Sequence, residues 1–122
     1  MQDPGGLLKA IKARGKLAGV SLLLNEPVEL LVPFWEDLDI VTIVGTAMGI
    51  KGASMDAAVP GKIRQAKEEI RRRGLRTEVE ADGGIRRETV PLIHAAGADV
   101  IVPGSLLFGG DPAELRRWLA SL

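Results

Sequence analysis

The sequence has no cysteine among its 122 residues, and this excludes disulfide bonds and thiol catalysis. It also lacks a run of about eighteen apolar residues, which is the length that a membrane-spanning helix requires. No charged and then apolar leader with a small-residue cleavage site is visible either. These absences predict a cytoplasmic protein with no membrane partner.

An excess of charge of one sign is missing as well. Sixteen lysine and arginine residues balance sixteen aspartate and glutamate residues, so no overall field attracts nucleic acid. We therefore expect no nucleic-acid partner, and any recognition of phosphate must be local. The composition, with 46% hydrophobic and 26% charged residues, is typical of one soluble globular domain, here residues 1–122.

Short apolar runs alternate with helical patterns along the whole chain. Strands are predicted at 18–24, 40–44, 76–81 and 100–102. Helices are predicted before Gly15, at 28–38 with a bend or restart at Pro33, at 62–73, at 87–96, and after Asp111. This order predicts an α/β fold of parallel strands covered by helices. Spacing alone leaves open whether the fold is half of a TIM barrel or a small open flavodoxin-like sheet.

A first motif, Glu80-Ala81-Asp82-Gly83-Gly84, lies at the end of the third predicted strand. Because side chains alternate along a strand, Glu80 and Asp82 point the same way, with Asp82 at the mouth of a barrel and Glu80 one layer deeper. The two glycines allow a sharp turn and close approach of the backbone to a ligand. The alternative is that Asp82 only caps the turn and Glu80 is simply exposed.

A second motif, Val102-Pro103-Gly104-Ser105, ends the fourth predicted strand. Its glycine permits close approach, its serine adds a hydroxyl, and the amides of a following helical turn can bind a phosphate dianion. TIM barrels often bind phosphate at this position. An ordinary turn is the alternative.

Taken together, the motifs identify a family. In order, the chain has Leu24-Asn25, Met48-Gly49-Ile50-Lys51-Gly52, Lys62-Ile63, Asp82-Gly83-Gly84-Ile85, Gly97-Ala98-Asp99 and Gly104-Ser105. In this order and spacing they resemble the second half of the ribulose-phosphate 3-epimerases, over nearly the whole chain. The resemblance implies a (βα)4 half of a TIM barrel, corresponding to strands five to eight.

The resemblance also implies a chemistry. In this family two aspartates on opposite faces of a pentulose phosphate exchange a proton at C3, and Asp82 is similar to one of them. Asp82 also resembles a ligand of a divalent metal, which would be zinc, iron or manganese. The residues implied to bind the substrate phosphate are Gly49, Gly52, Gly83, Gly84, Gly104 and Ser105, and Asn25 is implied to contact the substrate. Residues 49–52 would form a flap over the phosphate.

Several features depart from the family pattern. The second aspartate, two histidine metal ligands and a serine near the substrate belong to the first four strands of the family barrel, which this chain does not contain. The only histidine, His94, falls in the helix before Gly97, and a structural role is expected for it. The flap is altered, since Met48 replaces proline, Ala53 replaces glutamine, and Lys51 is either an anion contact or a solvated loop lysine.

A half barrel leaves two sheet edges unpaired and an apolar inner face exposed, including Leu23, Val44 and the strand around Val79. A second copy related by a two-fold axis would close an eight-stranded barrel, so a homodimer is expected. The favoured function is a half barrel that binds a sugar phosphate or phosphate ion, with weak or absent epimerisation. The alternatives are an active epimerase, as a homodimer or with an N-terminal-half partner, and a non-catalytic scaffold.

Overall fold

The computed structural model describes residues 3–47, 49 and 52–122. Its elements confirm the predicted alternation of strands and helices. In chain order they are α1 (Pro4–Ala13), β1 (Gly19–Leu22), two 3₁₀ turns (Val28–Leu31 and Trp35–Asp37), β2 (Ile40–Val44), α2 (Val59–Arg72), β3 (Glu78–Asp82), α3 (Val90–Ala96), β4 (Val100–Val102), α4 (Gly104–Phe108) and α5 (Pro112–Ala120). None of the helices in these described ranges has the length and apolar character needed to span a membrane.

The four strands form one sheet in the order β1-β2-β3-β4, and every neighbouring pair is parallel. Each crossover therefore leads to the next strand along the sheet. A flavodoxin-like sheet instead reverses its strand order partway across and carries helices on both faces. The sequential order is that of one half of a (βα)8 barrel, and it settles the choice that spacing alone left open.

The two faces of the sheet differ in what covers them. On β2 and β3 every second side chain is almost fully buried under the helices, namely Val41, Ile43, Val79 and Ala81. Helix α2 contributes Ile63, which is also fully buried, and helix α3 contributes Ile93. The core therefore lies between the sheet and its helices.

The opposite face of the sheet is not covered by any described helix, and we call it the open face. It carries Ile40, Thr42 and Val44 of β2, Glu78, Glu80 and Asp82 of β3, and Val100 and Val102 of β4. Val79 points toward the helices, where it is 0% exposed, and Glu80 and Asp82 lie on the open face, as the alternation along the strand predicted. The open face of β3 is therefore polar, so the expectation of an apolar inner face at the strand around Val79 was wrong.

The predicted helix at 28–38 was wrong in its form. Two 3₁₀ turns replace it, on either side of Pro33, whose missing N–H and fixed φ prevent a continuous helix. Trp35 opens the second turn and is 0% exposed, so its indole ring belongs to the core. Helix α4 is five residues long, and it is the helical turn that the Gly104-Ser105 motif was expected to precede.

Two aspartates fix the starts of strands at the end of the sheet opposite the predicted site. Asp39 precedes β2, and its Oδ2 accepts hydrogen bonds from the Ala18 N–H at 2.7 Å and from Lys12 Nζ at 2.9 Å. Asp99 precedes β4 and repeats the arrangement, accepting from the Val79 N–H at 2.9 Å and from Lys67 Nζ at 2.9 Å. Each carboxylate thus joins a strand to its neighbour and to a helix.

The hydrogen bond from the Ala18 N–H, followed by that from Lys12, lowers the pKa of the Asp39 carboxyl below its ordinary value. A carboxyl whose pKa is lower in the folded state stabilises the fold at pH values above its ordinary pKa. This stabilisation is lost as the pH falls through the lowered value.

We expect Asp39→Asn to lower the free energy of unfolding by about 2 kcal/mol at pH 7, because hydrogen bonds to a charged group are lost. Urea denaturation followed by circular dichroism measures this. The difference from the wild type should shrink as the pH falls below about 4. The matched control is Asp37→Asn, which removes a pair with the exposed Lys9 and should cost about 0.5 kcal/mol or less. Equal losses in both variants would contradict the anchoring role.

Candidate functional site

A cleft of about 180 Å³ lies where β3 and β4 end. Since a water molecule occupies about 30 Å³ of liquid volume, the cleft has room for several water-sized groups. Two strand ends and one loop form its walls. The described residues that line it are Thr46, Gly52, Ala53, Asp82, Gly83, Gly84, Ile85, Arg86, Val102, Pro103, Gly104 and Ser105.

Asp82 lies at the mouth of this cleft as the last residue of β3. It pairs in register with Val44 on one side and with Val102 on the other, and its side chain is exposed on the open face. Within the described residues its carboxylate makes no hydrogen bond to the following turn, so the capping alternative gains no support. The carboxylate is therefore free to meet a group in the cleft.

Glu80 lies one layer deeper on the same face, as the alternation along the strand predicted. It is half-buried, and its Oε1 accepts a hydrogen bond from Thr42 Oγ1 at 3.1 Å. The alternative that Glu80 is simply exposed was therefore wrong. Its carboxylate is a polar contact in the interior of the half barrel.

The Gly83-Gly84 turn has a packing role that the sequence alone did not reveal. Both residues have positive φ, 95° and 69°. A Cβ on Gly84 would lie 2.7 Å from both Cα and N of Met55, and a Cβ on Gly83 would lie 2.7 Å from Thr46 Oγ1. The glycines thus allow the loop after β2 to close onto the turn, and this contact builds one wall of the cleft.

Thr89 holds the Gly83-Gly84 turn in place from the following helix. Its Oγ1 donates to the Gly84 carbonyl at 2.7 Å and accepts from the Arg86 N–H at 2.9 Å. One hydroxyl therefore fixes both ends of the segment that enters the cleft. Backbone groups fixed in this way lose little freedom when they bind a ligand.

Gly104 and Ser105 form the other wall, at the start of α4. Gly104 has a φ of 42°, and no described atom lies within 4 Å of the position that its Cβ would take. The first N–H groups of a helix have no acceptor within that helix. The Leu106 N–H donates to the Pro103 carbonyl at 2.8 Å, whereas the N–H groups of Gly104 and Ser105 have no acceptor among the described residues. Ser105 is exposed beside them and adds its hydroxyl.

The loop after β2 is anchored at both ends. The Gly45 N–H donates to the Asp82 carbonyl at 2.7 Å, and the Asp56 N–H donates to the Gly45 carbonyl at 2.8 Å. Gly52 and Ala53 reach the cleft, whereas Gly49 has no described neighbour within 4 Å of its Cβ position. Met48 and Lys51, at which the chain departs from the family pattern, lie outside the described residues, as does Ile50.

Two predicted positions lie away from the cleft. Asn25 follows β1 and borders a separate surface cavity with Lys62 and Gln65, so the structure does not bring it together with Asp82. His94 is exposed on α3, among the helices rather than at the mouth of the sheet. Five of the six residues predicted to bind phosphate do meet in the cleft, namely Gly52, Gly83, Gly84, Gly104 and Ser105.

Sequence reasoning missed Arg86. Its Nη2 donates to the Gly52 carbonyl at 2.9 Å and to the Ala53 carbonyl at 3.4 Å, and the side chain lines the cleft. The signal was available, since a basic residue directly follows Gly-Gly-Ile at the end of a strand.

The donor groups of the cleft decide whether the divalent metal implied by the family resemblance fits this chain. Among the described residues no three histidine, cysteine, aspartate or glutamate side chains lie close enough together to bind a metal ion. Asp82 supplies one carboxylate, whereas divalent metals in proteins take several ligands. The described residues do not fit a metal on their own.

Comparison with known proteins places this geometry in a family. The model of the ribulose-phosphate 3 epimerase family matches residues 1–108. A ribulose-phosphate 3-epimerase of Bacillus subtilis is 34% identical over 103 residues, which are 84% of this chain and 48% of that protein. One from Treponema pallidum is 36% identical over 109 residues, covering 89% of this chain and 50% of that protein.

A cytoplasmic isoform from Oryza sativa is 32% identical over 113 residues, covering 89% of this chain and 48% of that protein. The chain spans about half the length of the curated relatives it matches. The match extends over the strands, the loop and the turns that build the cleft. The chain belongs to the ribulose-phosphate 3 epimerase family.

Proposed function

We propose that the chain is a half barrel that binds a sugar phosphate in the cleft at the ends of β3 and β4. The observation that carries this proposal is the meeting of Asp82 with Gly83, Gly84, Gly104 and Ser105 around one cleft. Four of these residues offer backbone amides and a hydroxyl, and the fifth offers a carboxylate. This combination suits a ligand that is anionic at one end and carries hydroxyl groups at the other.

The phosphate occupies the part of the cleft between the Gly83-Gly84 turn and the start of α4. Backbone N–H groups from turns and from helix starts bind phosphate oxygens without a charged side chain. The absence of a Cβ on Gly84 and Gly104 lets the oxygens approach the backbone. The anchoring of the turn by Thr89 fixes the donors before the ligand arrives.

The sugar extends from the phosphate toward Asp82 and the open face. Asp82 is exposed there, and an ionised carboxylate accepts hydrogen bonds from sugar hydroxyl groups. The matched relatives are named ribulose-phosphate 3-epimerases, and this favours a pentulose phosphate as the ligand.

A second candidate function is part of the epimerase reaction. Asp82 would remove the proton from C3 of the bound pentulose phosphate as a general base. Inversion also needs an acid on the opposite face of the substrate. Among the described residues the carboxylates of the open-face strands, Glu78, Glu80 and Asp82, all lie on β3 and therefore on one side of the substrate. The chain would then exchange the C3 proton with solvent without producing the epimer.

We expect Ser105→Glu to abolish binding of ribulose 5-phosphate, since it replaces a hydroxyl donor with a bulky carboxylate of the same sign as the ligand. Isothermal titration calorimetry at pH 7.5 measures the affinity. The control is Ser121→Glu, which adds the same charge at the exposed end of α5 and should leave the affinity unchanged. If the wild type binds neither ribulose 5-phosphate nor inorganic phosphate, the scaffold alternative replaces the proposal.

For the second function, we expect the wild type to incorporate deuterium from solvent at C3 of ribulose 5-phosphate, and Asp82→Asn to lower that rate by about 100-fold or more. Proton NMR in deuterium oxide follows the exchange. Glu78→Gln is the control, because Glu78 lies on the same face of β3 but at its opposite end. A folded wild type that shows no exchange would leave binding as the sole function.

Assembly is the third part of the proposal, and it concerns the open face. In the described part of the chain the sheet ends at β1 and β4, and Val102 is 39% exposed on the open face at one of these edges. A second copy related by a two-fold axis would pair β4 with the partner's β1 and bring the strand number to eight. A complementary half from another chain is the alternative occupant.

We expect the wild type to dimerise reversibly at neutral pH, and Val102→Glu to remove the dimer by adding a negative charge to a face that would be buried and already carries Glu78, Glu80 and Asp82. Sedimentation velocity separates the 13.0 kDa chain from its dimer. Leu92→Glu is the control, since Leu92 is 54% exposed on α3, and it should leave the dimer intact. A wild type that stays monomeric at high concentration would favour the complementary half.

A further inference from the structure

The cleft has a basic side chain that the proposed phosphate contacts do not include. Arg86 is separated from the Gly83-Gly84 turn by one residue, Ile85. Among the described residues that line the cleft it is the one lysine or arginine. Its Nη2 reaches the carbonyl oxygens of Gly52 and Ala53 across the cleft. The guanidinium therefore bridges the strand end and the loop after β2.

The partners of Arg86 leave its charge uncompensated within the described residues. Four other arginines pair with carboxylates: Arg71 with Glu68, Arg72 and Arg73 with Glu69, and Arg87 with Glu114. Arg86 instead meets two neutral carbonyl groups. A guanidinium has five N–H donors in a planar fork that matches phosphate geometry, and only Nη2 is engaged by the described residues.

Arg87, the next residue, does not share the position of Arg86 in the cleft. Its guanidinium pairs with Glu114 and lies 4.7 Å above the ring of Trp118, against α5. Two arginines that are adjacent in sequence thus have separate environments. One faces the cleft without a carboxylate, and the other is held on the outer surface by a carboxylate and an aromatic ring.

We propose that Arg86 binds the phosphate dianion in the cleft and at the same time holds Gly52 and Ala53 of the loop over it. This inference rests on the proposed function, and it adds to it the residue that sets the preference for a dianion. A charge-assisted hydrogen bond to phosphate is about twice as strong as a neutral one. The backbone amides position the phosphate, and Arg86 supplies the charge.

The two roles of Arg86 reinforce each other. Without an anion, its guanidinium is oriented by the carbonyl groups of Gly52 and Ala53. A phosphate on the remaining N–H donors adds further bonds to the same rigid group, so the position of the loop becomes better defined. Binding of phosphate should therefore reduce the opening of the loop as measured by amide exchange.

The experiment compares Arg86→Gln, Arg86→Lys and Arg87→Gln with the wild type. Calorimetric titration with inorganic phosphate at pH 7.5 gives the affinities, and urea denaturation confirms that each variant is folded. We expect Arg86→Gln to lower the affinity about 10- to 100-fold, as for the loss of a hydrogen bond to a charged group. Arg86→Lys should retain part of the affinity, because it keeps the charge but not the planar fork.

Arg87→Gln is the matched control and should change the affinity by less than about 2-fold, since it removes an equal charge on the outer surface. Amide hydrogen exchange of residues 52–56 supplies a second readout. Phosphate should slow this exchange in the wild type and not in Arg86→Gln. If Arg86→Gln does not fold, Arg86→Lys provides the test. Wild-type phosphate affinity and wild-type protection of residues 52–56 in Arg86→Lys would overturn the role of the guanidinium fork.

The outcomes separate this inference from the function on which it rests. A wild type that does not bind phosphate overturns both. If the wild type binds and a folded Arg86→Gln binds equally well, only the role of Arg86 is overturned. Equal losses in Arg86→Gln and Arg87→Gln would indicate a general effect of positive charge and would also overturn it.

Discussion

The parallel pairing of β3 with β4 is the constraint on which the rest of the site depends. It sets Asp82 beside Val102 in register, so the two turns that follow these strands begin at the same height. Parallel strands place all their carboxyl ends at one edge of a sheet. The carboxylate of one turn and the amides of the other therefore meet around a single cleft, although they lie about twenty residues apart in sequence.

The sequence predicted those parts of the fold that depend on local pattern. Strands β2 and β4 have the predicted bounds, and the Asp111-Pro112 pair begins α5 as expected, because β-branched runs and capping residues act over a few residues. The prediction of a helix at 28–38 was wrong in form, because no local signal around Pro33 distinguishes a bent helix from two 3₁₀ turns.

In the candidate site, too, the sequence predicted what depends on local pattern and missed what depends on long-range contacts. Motif spacing led to Asp82, the two glycines after it, and Gly104 with Ser105, because each follows the end of a strand. Arg86 was missed because it is held in the cleft by hydrogen bonds to carbonyl groups more than thirty residues earlier in the chain. The contact of Gly84 with Met55 was missed for the same reason. Long-range packing decides which side chains face the cleft, and a single sequence does not reveal it.

The carboxylates of β3 limit how the half barrel can be closed. In a ring of eight strands built from two copies, β3 lies opposite the partner's β3, since three strands lie between them in either direction. Glu78, Glu80 and Asp82 all lie on the face that would become the interior, so three carboxylates from each copy would face one another. Like charges in a poorly solvated interior repel strongly, and the open face of this chain has no lysine or arginine on β2, β3 or β4 to offset them. This repulsion weakens a barrel closed by a second copy, which is why the expected dimer is a reversible one, whereas a complementary half that carries cationic groups opposite Glu80 would bind without it.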